Sequence, residues 1–134
     1  MPDPTPTKPC TKCGHDLPLD QYATDTAGRF GRRSQCRPCK AAMDRDYLMR
    51  ARFGLTVETY DELLAAQGHR CALCRADKPG GRWPRFHVDH CHTTGRVRGL
   101  LCRSCNMALG ILGDSPEGLL AAYRYVTGEE STDA

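Results

Sequence analysis

The sequence predicts a small α+β protein in which two clusters of four cysteines stabilise the fold. Three observations predict this class. The chain has 134 residues, of which only 40% are hydrophobic and nine are proline, so a hydrophobic core alone would be marginal. Eight of its nine cysteines fall into four pairs with the spacing Cys-x-x-Cys. Short strand patterns around one tight turn, followed by helical patterns, indicate strands and helices in the same unit.

The cysteine pairs have the spacing of metal ligands. Thiols two residues apart converge on one ion more readily than they form a disulfide framework, and Zn²⁺ is the usual ion in a four-thiolate site. A disulfide framework is the alternative, and it is disfavoured because the polar N-terminus lacks a signal segment, which predicts a reducing cytoplasm. We therefore expect two structural Zn²⁺ sites, with Cys10, Cys13, Cys36 and Cys39 in the first and Cys71, Cys74, Cys102 and Cys105 in the second.

The N-terminal part predicts a disordered stretch and then a zinc unit. Residues 1–9 contain four prolines and no periodicity, so we expect them to be disordered. Residues 10–39 form the first zinc unit, in which Gly14 lets the backbone turn beneath the metal. The segment DTAGRFG between its cysteine pairs predicts a hairpin or a loop tip. No catalytic motif is present here, so we interpret the unit as structural and DNA-contacting.

Residues 40–68 predict a basic linker of two helices. Gly54 ends the first helix, which covers residues 40–52, and Thr56 is a suitable N-cap for the second, VETYDELLAAQ. Gly68 ends the second helix. The apolar stripe that we expect on the first helix consists of Ala41, Tyr47, Leu48 and Ala51.

Residues 69–127 predict a second domain, in which a cysteine knuckle and a loop precede a strand–turn–strand pattern. Residues 85–89 and 97–101 form the two short strands. Gly95 can adopt the positive φ that the connecting turn needs. The loop before the first strand contains Trp83, which either caps the core or stacks on a base.

Helices follow the second strand. One begins near Ser104, and another begins at Ser115 with a proline in its first turn. Gly128 ends the last helix, and the acidic residues 128–134 form a frayed tail. No apolar run reaches the roughly 20 residues that a membrane span needs, so we expect no membrane partner.

Basic residues are concentrated in the middle of the chain. The net charge is only +3, but residues 29–52 hold eight cations against two acids, whereas residues 113–134 hold one cation and five acids. A polyanion such as DNA would bind the basic part, and a solvated helix face is the alternative. The arginines that we expect to contact a phosphate backbone are Arg32, Arg33, Arg45 and Arg50.

The segment FHVDHCHTTGRVRGLLCRSCN carries the residue types that phosphodiester hydrolysis requires. Cleavage by water needs a base, a cation that neutralises developing charge, and contacts to phosphates. His90 is the candidate base, because imidazole accepts protons near neutral pH. Asp89 and Asn106 are hard oxygen ligands for Mg²⁺ or Mn²⁺, and Arg96 and Arg98 can clamp phosphate. The sequence therefore predicts a nuclease.

Strand geometry adds one requirement to this site. Ideal alternation would place Asp89 and His90 on opposite faces of the strand. We therefore expect the strand to end or to bulge between them, so that both reach one metal-bound phosphate.

Several segments of the second domain, residues 69–127, resemble the recombination endonuclease VII family of phage nucleases. That family belongs to the HNH, or ββα-metal, endonucleases. The matching segments are the first cysteine pair of this domain, VDHCH, TTGRVRGLLC, CN and LGILGDSPEGLLAAYRYV, over about residues 69–126. The resemblance implies a ββα-metal (His-Me finger) core with Asp89 and Asn106 as magnesium ligands and His90 as general base. It also implies that His87 and His92 bind phosphate or stabilise the leaving group.

The resemblance further implies a substrate and a setting. The substrate would be branched or duplex DNA, cut to leave 5′-phosphate and 3′-hydroxyl ends in a phage-infected or prophage-bearing bacterium. Family members that resolve junctions are dimers, and residues 40–67 are a candidate homodimer interface. The N-terminal zinc unit lies outside the match and resembles only the knuckle-bearing extensions of other phage HNH proteins.

One departure concerns Cys91, where family members usually carry Asp. A cysteine that only packs the strand would be harmless. If the acid tunes a histidine or recruits metal, its loss would weaken activity or change the metal preference. The alternative to an enzyme is a non-catalytic zinc DNA-binding accessory protein, in which the hairpin only presents Arg96 and Arg98 to the DNA backbone.

Overall fold

The computed structural model describes residues 5–129 and divides the chain into two compact units. The first unit extends to Arg52 and the second begins at Phe53. The disorder expected for residues 1–4 and the tail expected from residue 130 onward lie outside the described residues. Within the described part, no helix is long and apolar enough to cross a membrane.

The first unit begins with a hairpin that surrounds the first cysteine pair. Strand β1, Thr7–Pro9, pairs antiparallel with strand β2, Asp16–Pro18. Between them, the amide of Gly14 donates to the carbonyl oxygen of Cys10 at 2.8 Å. Gly14 has a φ of 76°, so the predicted glycine turn beneath this cysteine pair is confirmed.

The buried side chain of Lys8 explains why β1 is ordered. Its ammonium donates to the carbonyl oxygen of Arg33 at 2.5 Å and lies 4.6 Å from the centroid of the Tyr22 ring. Tyr22 is fully buried and donates its hydroxyl to the carbonyl oxygen of Lys8 at 2.7 Å. The predicted disorder is therefore wrong for residues 7–9, because prolines are compatible with an edge strand and the buried ammonium has partners.

A small core and one helix complete the first unit. Cys10, Tyr22 and Cys36 are buried together, with Leu17 and Cys39 packed against them. The segment DTAGRFG lies at the tip of a hairpin-like turn, as predicted, because a β-bridge pairs the residues just before and just after it.

Helix α1, Arg37–Phe53, follows the second cysteine pair. Its predicted apolar stripe is wrong: Tyr47 is 70% exposed and Leu48 is exposed as well, whereas Met49 is buried. Cations occupy much of this helix, so it has no strong apolar face. The positions of its apolar residues in the sequence therefore do not predict which side chains are buried.

The second unit contains a strand–strand–helix arrangement, formed by β3, His87–His90, β4, Val97–Leu101, and α3, Arg103–Ile111. It also contains α2, Val57–Ala66, and α4, Pro116–Thr127. The two strands are antiparallel. The second predicted strand is confirmed to the residue, and the first begins two residues later than predicted.

Helix α2 is fixed to the hairpin by two side chains. Thr56 caps the helix as predicted, and the buried Tyr60 donates its hydroxyl to the carbonyl oxygen of Phe86 at 2.8 Å. The amide of Gln67 pairs with the backbone of Leu100, donating to its oxygen and accepting from its nitrogen, both at 2.9 Å. This pairing satisfies the outer edge of β4 in the way that a further strand would.

The turn between α3 and α4 is tightly packed. Ser115 caps α4 by accepting a hydrogen bond from the amide of Gly118 at 3.1 Å. A side chain at Gly118 would lie 1.7 Å from the carbonyl oxygen of Leu112, so only glycine fits there. Gly128 ends α4 with a φ of 70°, as predicted.

Candidate active site and metal centres

The candidate active site lies where the β3–β4 hairpin is irregular. Asp89 pairs with Gly99, but the next residue, His90, pairs with Val97, so Arg98 is the extra residue of a β-bulge. A bulge breaks the regular alternation of side chains and increases the local twist. The pairing is irregular at the predicted position, between Asp89 and His90, but the extra residue lies on β4 and β3 continues to His90.

The bulged residue Arg98 holds two carboxylates. Its Nε and Nη2 donate to the two carboxylate oxygens of Asp89 at 2.7 and 2.8 Å, and Nη2 also donates to Asp114. The hydrogen bond from Arg98 keeps the pKa of Asp114 below its usual range, and the nearby imidazoles of His92 and His90 act in the same direction. The arginine predicted to clamp phosphate therefore neutralises acids in this structure.

Asp114 is the site residue that sequence reasoning missed. It was counted only among the acids of the C-terminal region, although it lies within the segment LGILGDSPEG that carries the family resemblance. It is in the turn between α3 and α4 and has a φ of 49°. Its Oδ2 lies 3.6 Å from Nε2 of His92, so it connects Arg98 to the histidines.

Two of the three predicted histidines lie together. The ring centroids of His90 and His92 are 4.8 Å apart, and the His90 ring is 5.2 Å from that of Phe53. His87 is different: its Nε2 is buried and has no hydrogen-bond partner within residues 5–129. Among the described residues, no ring contact joins His87 to the other two.

The metal-ligand candidate on the helix is Asn106. It is half-buried in the first turn of α3, where its backbone amide donates to the carbonyl oxygen of Cys102 at 3.0 Å. Its side-chain amide makes no hydrogen bond to any residue in the described part of the chain. That amide oxygen is therefore available to a ligand, whereas both oxygens of Asp89 are occupied by Arg98.

The remaining predicted DNA contacts fall into two groups. Arg32 donates to the carbonyl oxygen of Tyr22 at 3.2 Å, and Arg50 forms an ion pair with Asp46 at 2.8 Å. These two guanidinium groups are partly engaged within the protein. The predicted arginines whose side chains make no hydrogen bond or ion pair with residues 5–129 are Arg33, Arg45 and Arg96.

Trp83 does not cap the core. It is 68% exposed, and the core interpretation is therefore wrong. The base-stacking interpretation of Trp83 stays a prediction.

The two predicted clusters of four thiols are assembled. Within each cluster the sulfur atoms lie within 4.8 Å of one another, and each cluster could hold a Zn²⁺ ion. Hydrogen bonds from backbone N–H groups, the largest from Cys13, lower the pKa of the Cys10 thiol to about 6. Burial raises the pKa of the Cys71 thiol, but N–H groups led by that of Cys102 outweigh it and lower the pKa to about 6. Thiolates are the metal-binding form.

Cys91 belongs to neither cluster. Its amide donates to the carbonyl oxygen of Arg96 at 2.9 Å and its carbonyl accepts from Gly95 at 2.7 Å, so it closes the hairpin turn. The hydroxyl of Thr94 and backbone N–H groups lower the pKa of its thiol to about 7.

A bulged hairpin, a four-thiolate cluster and a following helix together define a small ββα protein. The chain matches the family described as recombination endonuclease VII over residues 45–128. It is 34% identical over 122 residues to the Gene 59 proteins of Mycobacterium phages D29 and L5, which covers 89% of this chain and 73% of each relative. The chain therefore belongs to the recombination endonuclease VII family, a family of nucleases.

A solved structure is also similar. It is the ββα-Me type II restriction endonuclease Hpy99I, with 24% sequence identity and a TM-score of 0.42. The similarity covers 92% of this chain and 66% of that one.

Proposed function

We propose that this protein is a metal-dependent HNH-type endonuclease that hydrolyses DNA phosphodiester bonds. The observation that carries the proposal is a chain of contacts that links Asp89 to His90. Arg98 donates to Asp89 and to Asp114, whose Oδ2 lies 3.6 Å from Nε2 of His92. The ring centroids of His92 and His90 are 4.8 Å apart. Asn106 lies in the first turn of the adjoining helix with a free amide. Family membership supports a nuclease, and the bulged hairpin supplies the residue types for hydrolysis.

The donor set fits a hard divalent ion. A carboxylate and an amide oxygen are ligands that suit Mg²⁺ or Mn²⁺, which keep several waters and accept phosphate oxygens. Asp89 and Asn106 would hold this ion. It would supply charge stabilisation for the phosphate and the leaving oxygen. Asp89 has to share its oxygens with Arg98 or release them, and Asp114 offers the guanidinium a second carboxylate.

The histidines would move protons and position the phosphate. His90 would accept the proton of the attacking water. His92 is exposed and lies beside Asp114, which supports a role in binding phosphate or stabilising the leaving group. The buried, unpartnered Nε2 of His87 supports a packing role better than the phosphate contact implied by family resemblance.

The proposal extends to substrate, partners and setting. Branched or duplex DNA is the proposed substrate, with Arg33, Arg45 and Arg96 as phosphate contacts. A homodimer through residues 40–67 is proposed, and the exposed Tyr47 on α1 supports it. Two Zn²⁺ ions would fill the cysteine clusters. The phage relatives support action in the cytoplasm of an infected or prophage-bearing bacterium.

A non-catalytic DNA-binding accessory protein remains the second candidate. It would use the hairpin as a basic surface that presents Arg96 and Arg98. The structure disfavours it in one respect, since Arg98 is neutralised by Asp89 and Asp114 and adds little positive potential.

The purified, zinc-loaded protein is expected to convert supercoiled plasmid into nicked or linear DNA in Mg²⁺ or Mn²⁺. Omitting the divalent ion should stop the reaction. Omission is preferable to a chelator, which would also remove structural Zn²⁺. Product ends should carry 5′-phosphate, and gel electrophoresis with end-labelling measures both outcomes.

The matched control is Asp89→Asn, which keeps the size of the side chain but removes its charge. Losing one ligand charge should lower the cleavage rate by roughly 100-fold or more, because metal stabilisation of the transition state is worth several kcal/mol. Equal cleavage by both proteins would indicate a contaminating nuclease. Absence of cleavage on plasmid, four-way junction, flap and nicked duplex would favour the accessory-protein alternative.

Arg98→Gln is expected to bind Mn²⁺ more tightly than the wild type in the absence of DNA. Arg98 occupies both oxygens of Asp89, so it competes with the ion for that carboxylate. Because the Arg98 side chain is 31% exposed, the pair is partly screened, and we expect roughly a fivefold lower Kd, or about 1 kcal/mol. Calorimetric titration of the zinc-loaded protein measures it.

Arg96→Gln is the control for this experiment. It removes the same charge from the neighbouring turn, and the Arg96 side chain makes no hydrogen bond or ion pair with Asp89 in the described part of the chain. A rise in Mn²⁺ affinity that is equal in the two variants would mean that only long-range charge matters. Weaker binding by Arg98→Gln would contradict the competition.

A further inference from the structure

The tip of the first unit presents an aromatic ring that the core does not use. Phe30 is 56% exposed and lies in a short 3-10 turn, Arg29–Gly31. Its φ of 57° is in the left-handed region, which is unfavourable for a bulky side chain. Phe30 therefore does not fill a core, and its backbone conformation is strained for a bulky side chain. Strained positions of this kind concentrate at functional sites.

The turn that carries Phe30 is firmly held. A β-bridge joins Thr24 to Arg32, and a side chain at Gly28 would lie 2.0 Å from the carbonyl oxygen of Arg32. The ammonium of Lys8 anchors the returning segment through the carbonyl oxygen of Arg33. The ring is therefore displayed on a fixed scaffold, and little of its freedom remains to be lost on binding.

A cation contacts the ring, and further cations follow it in the sequence. The guanidinium of Arg29 lies 4.9 Å from the centroid of Phe30, and Arg33 makes no hydrogen bond or ion pair with any residue between 5 and 129. Residues 26–43 contain no Asp or Glu. A ligand that matches this surface combines negative charge with a flat apolar face. A nucleotide has both features, whereas an acidic protein surface matches only the charge.

A small cleft opens next to the same turn. Its volume is about 200 Å³, and its lining includes Thr11, Gly28, Arg29 and Ser34. The lining therefore contains guanidinium and hydroxyl groups, which are the groups that bind phosphate or sugar oxygens.

We propose that Phe30 and Arg29 form a stacking site for an unpaired base of DNA, and that Arg33 binds an adjacent phosphate. The inference rests on the proposed function in taking DNA as the ligand. It adds a preference for unpaired nucleotides, such as those at a gap, a flap or a branch. Every base has a π-face, so the site recognises an unstacked base and not a sequence.

The test compares the wild type with Phe30→Gly. Glycine suits a φ of 57°, so this variant removes the ring while keeping or improving the stability of the turn. Fluorescence anisotropy without Mg²⁺ or Mn²⁺ measures the affinity for two DNAs of equal length, one fully paired and one with a central single-stranded gap. We expect a roughly tenfold loss on the gapped DNA and less than about a twofold loss on the paired DNA.

Two further variants separate stacking from charge. Phe30→Trp retains a π-face and should keep the affinity for gapped DNA. Arg33→Gln should weaken binding to both DNAs about equally and reduce the salt dependence of binding.

Equal binding of gapped DNA by the wild type and Phe30→Gly would overturn the stacking site. It would leave the proposed function standing if the same wild-type preparation nicks plasmid. An equal loss on paired and gapped DNA would also overturn it, because the ring would then be a general DNA contact. A wild-type protein that neither binds nor cuts DNA would overturn both proposals.

Discussion

Replacing Cys102 with serine is expected to unfold the second unit. Cys102 is buried, belongs to the second thiol cluster and caps α3, where its sulfur accepts a hydrogen bond from the amide of Cys105 at 3.5 Å. Structural Zn²⁺ contributes roughly 10–16 kcal/mol to the folding of small zinc modules. That contribution is comparable to the roughly 5–15 kcal/mol by which a typical domain is stable, so losing the ion is expected to leave too little free energy to keep this unit folded.

Zinc content and unfolding are the quantities to measure. The wild type should contain two Zn²⁺ ions per chain, and the Cys102→Ser variant should contain one, retained by the first unit. Hydrogen exchange should show loss of protection in residues 53–129 and little change in residues 5–52. The matched control is Cys91→Ser, because Cys91 lies in neither cluster and its replacement should leave both ions bound. A Cys102→Ser protein with two ions and native protection would refute the structural role.

Elements with local signals could be predicted from the sequence. The β4 strand, the positive φ of Gly95 and the cap of Thr56 follow from the patterns that specify them, because each depends on residues a few positions apart. The cysteine clusters could be predicted for another reason. One ion can gather ligands that are distant in sequence, so the short spacing within each pair reveals a long-range contact.

The features that the sequence did not predict depend on tertiary contacts. Strand β1 is stabilised by a buried ammonium that contacts Tyr22 and Arg33, and no local pattern marks a lysine for burial. The ion pair between Arg98 and Asp114 joins a strand to an interhelical turn. The two residues are too far apart in the sequence for a helix or strand pattern to link them, and both residue types are common on protein surfaces.

The bulge lies between these two cases. An irregularity here was predicted because chemistry required Asp89 and His90 to serve one site, and ideal strand geometry would have separated them. The extra residue lies on the partner strand, at Arg98, and not on the strand for which it was predicted. Its effect on Arg98 was not predicted, because the extra residue could have pointed to solvent. The structure instead places this guanidinium between two acids, so the expected phosphate clamp binds the carboxylate that is proposed to hold the metal ion.

His90→Ala is expected to lower the cleavage rate by roughly 10²–10⁴-fold, the usual contribution of a general base. The comparison requires single-turnover conditions with enzyme in excess of DNA, so that binding and product release do not mask the chemical step. The affinity for uncut DNA, measured without the divalent ion, should change little. Added imidazole should restore part of the rate, because the lost side chain leaves space between the rings of Phe53 and His92.

This split between rate and affinity separates a base from a DNA contact. If His90 only bound phosphate, its loss would weaken DNA binding, and saturating protein would restore the rate. His15→Ala, which removes an exposed imidazole from the first unit, should cleave at the wild-type rate and controls for the loss of a histidine as such. A His90→Ala protein that cuts within about threefold of the wild type would exclude His90 as the base, and His92, the imidazole next to it, would become the candidate to test.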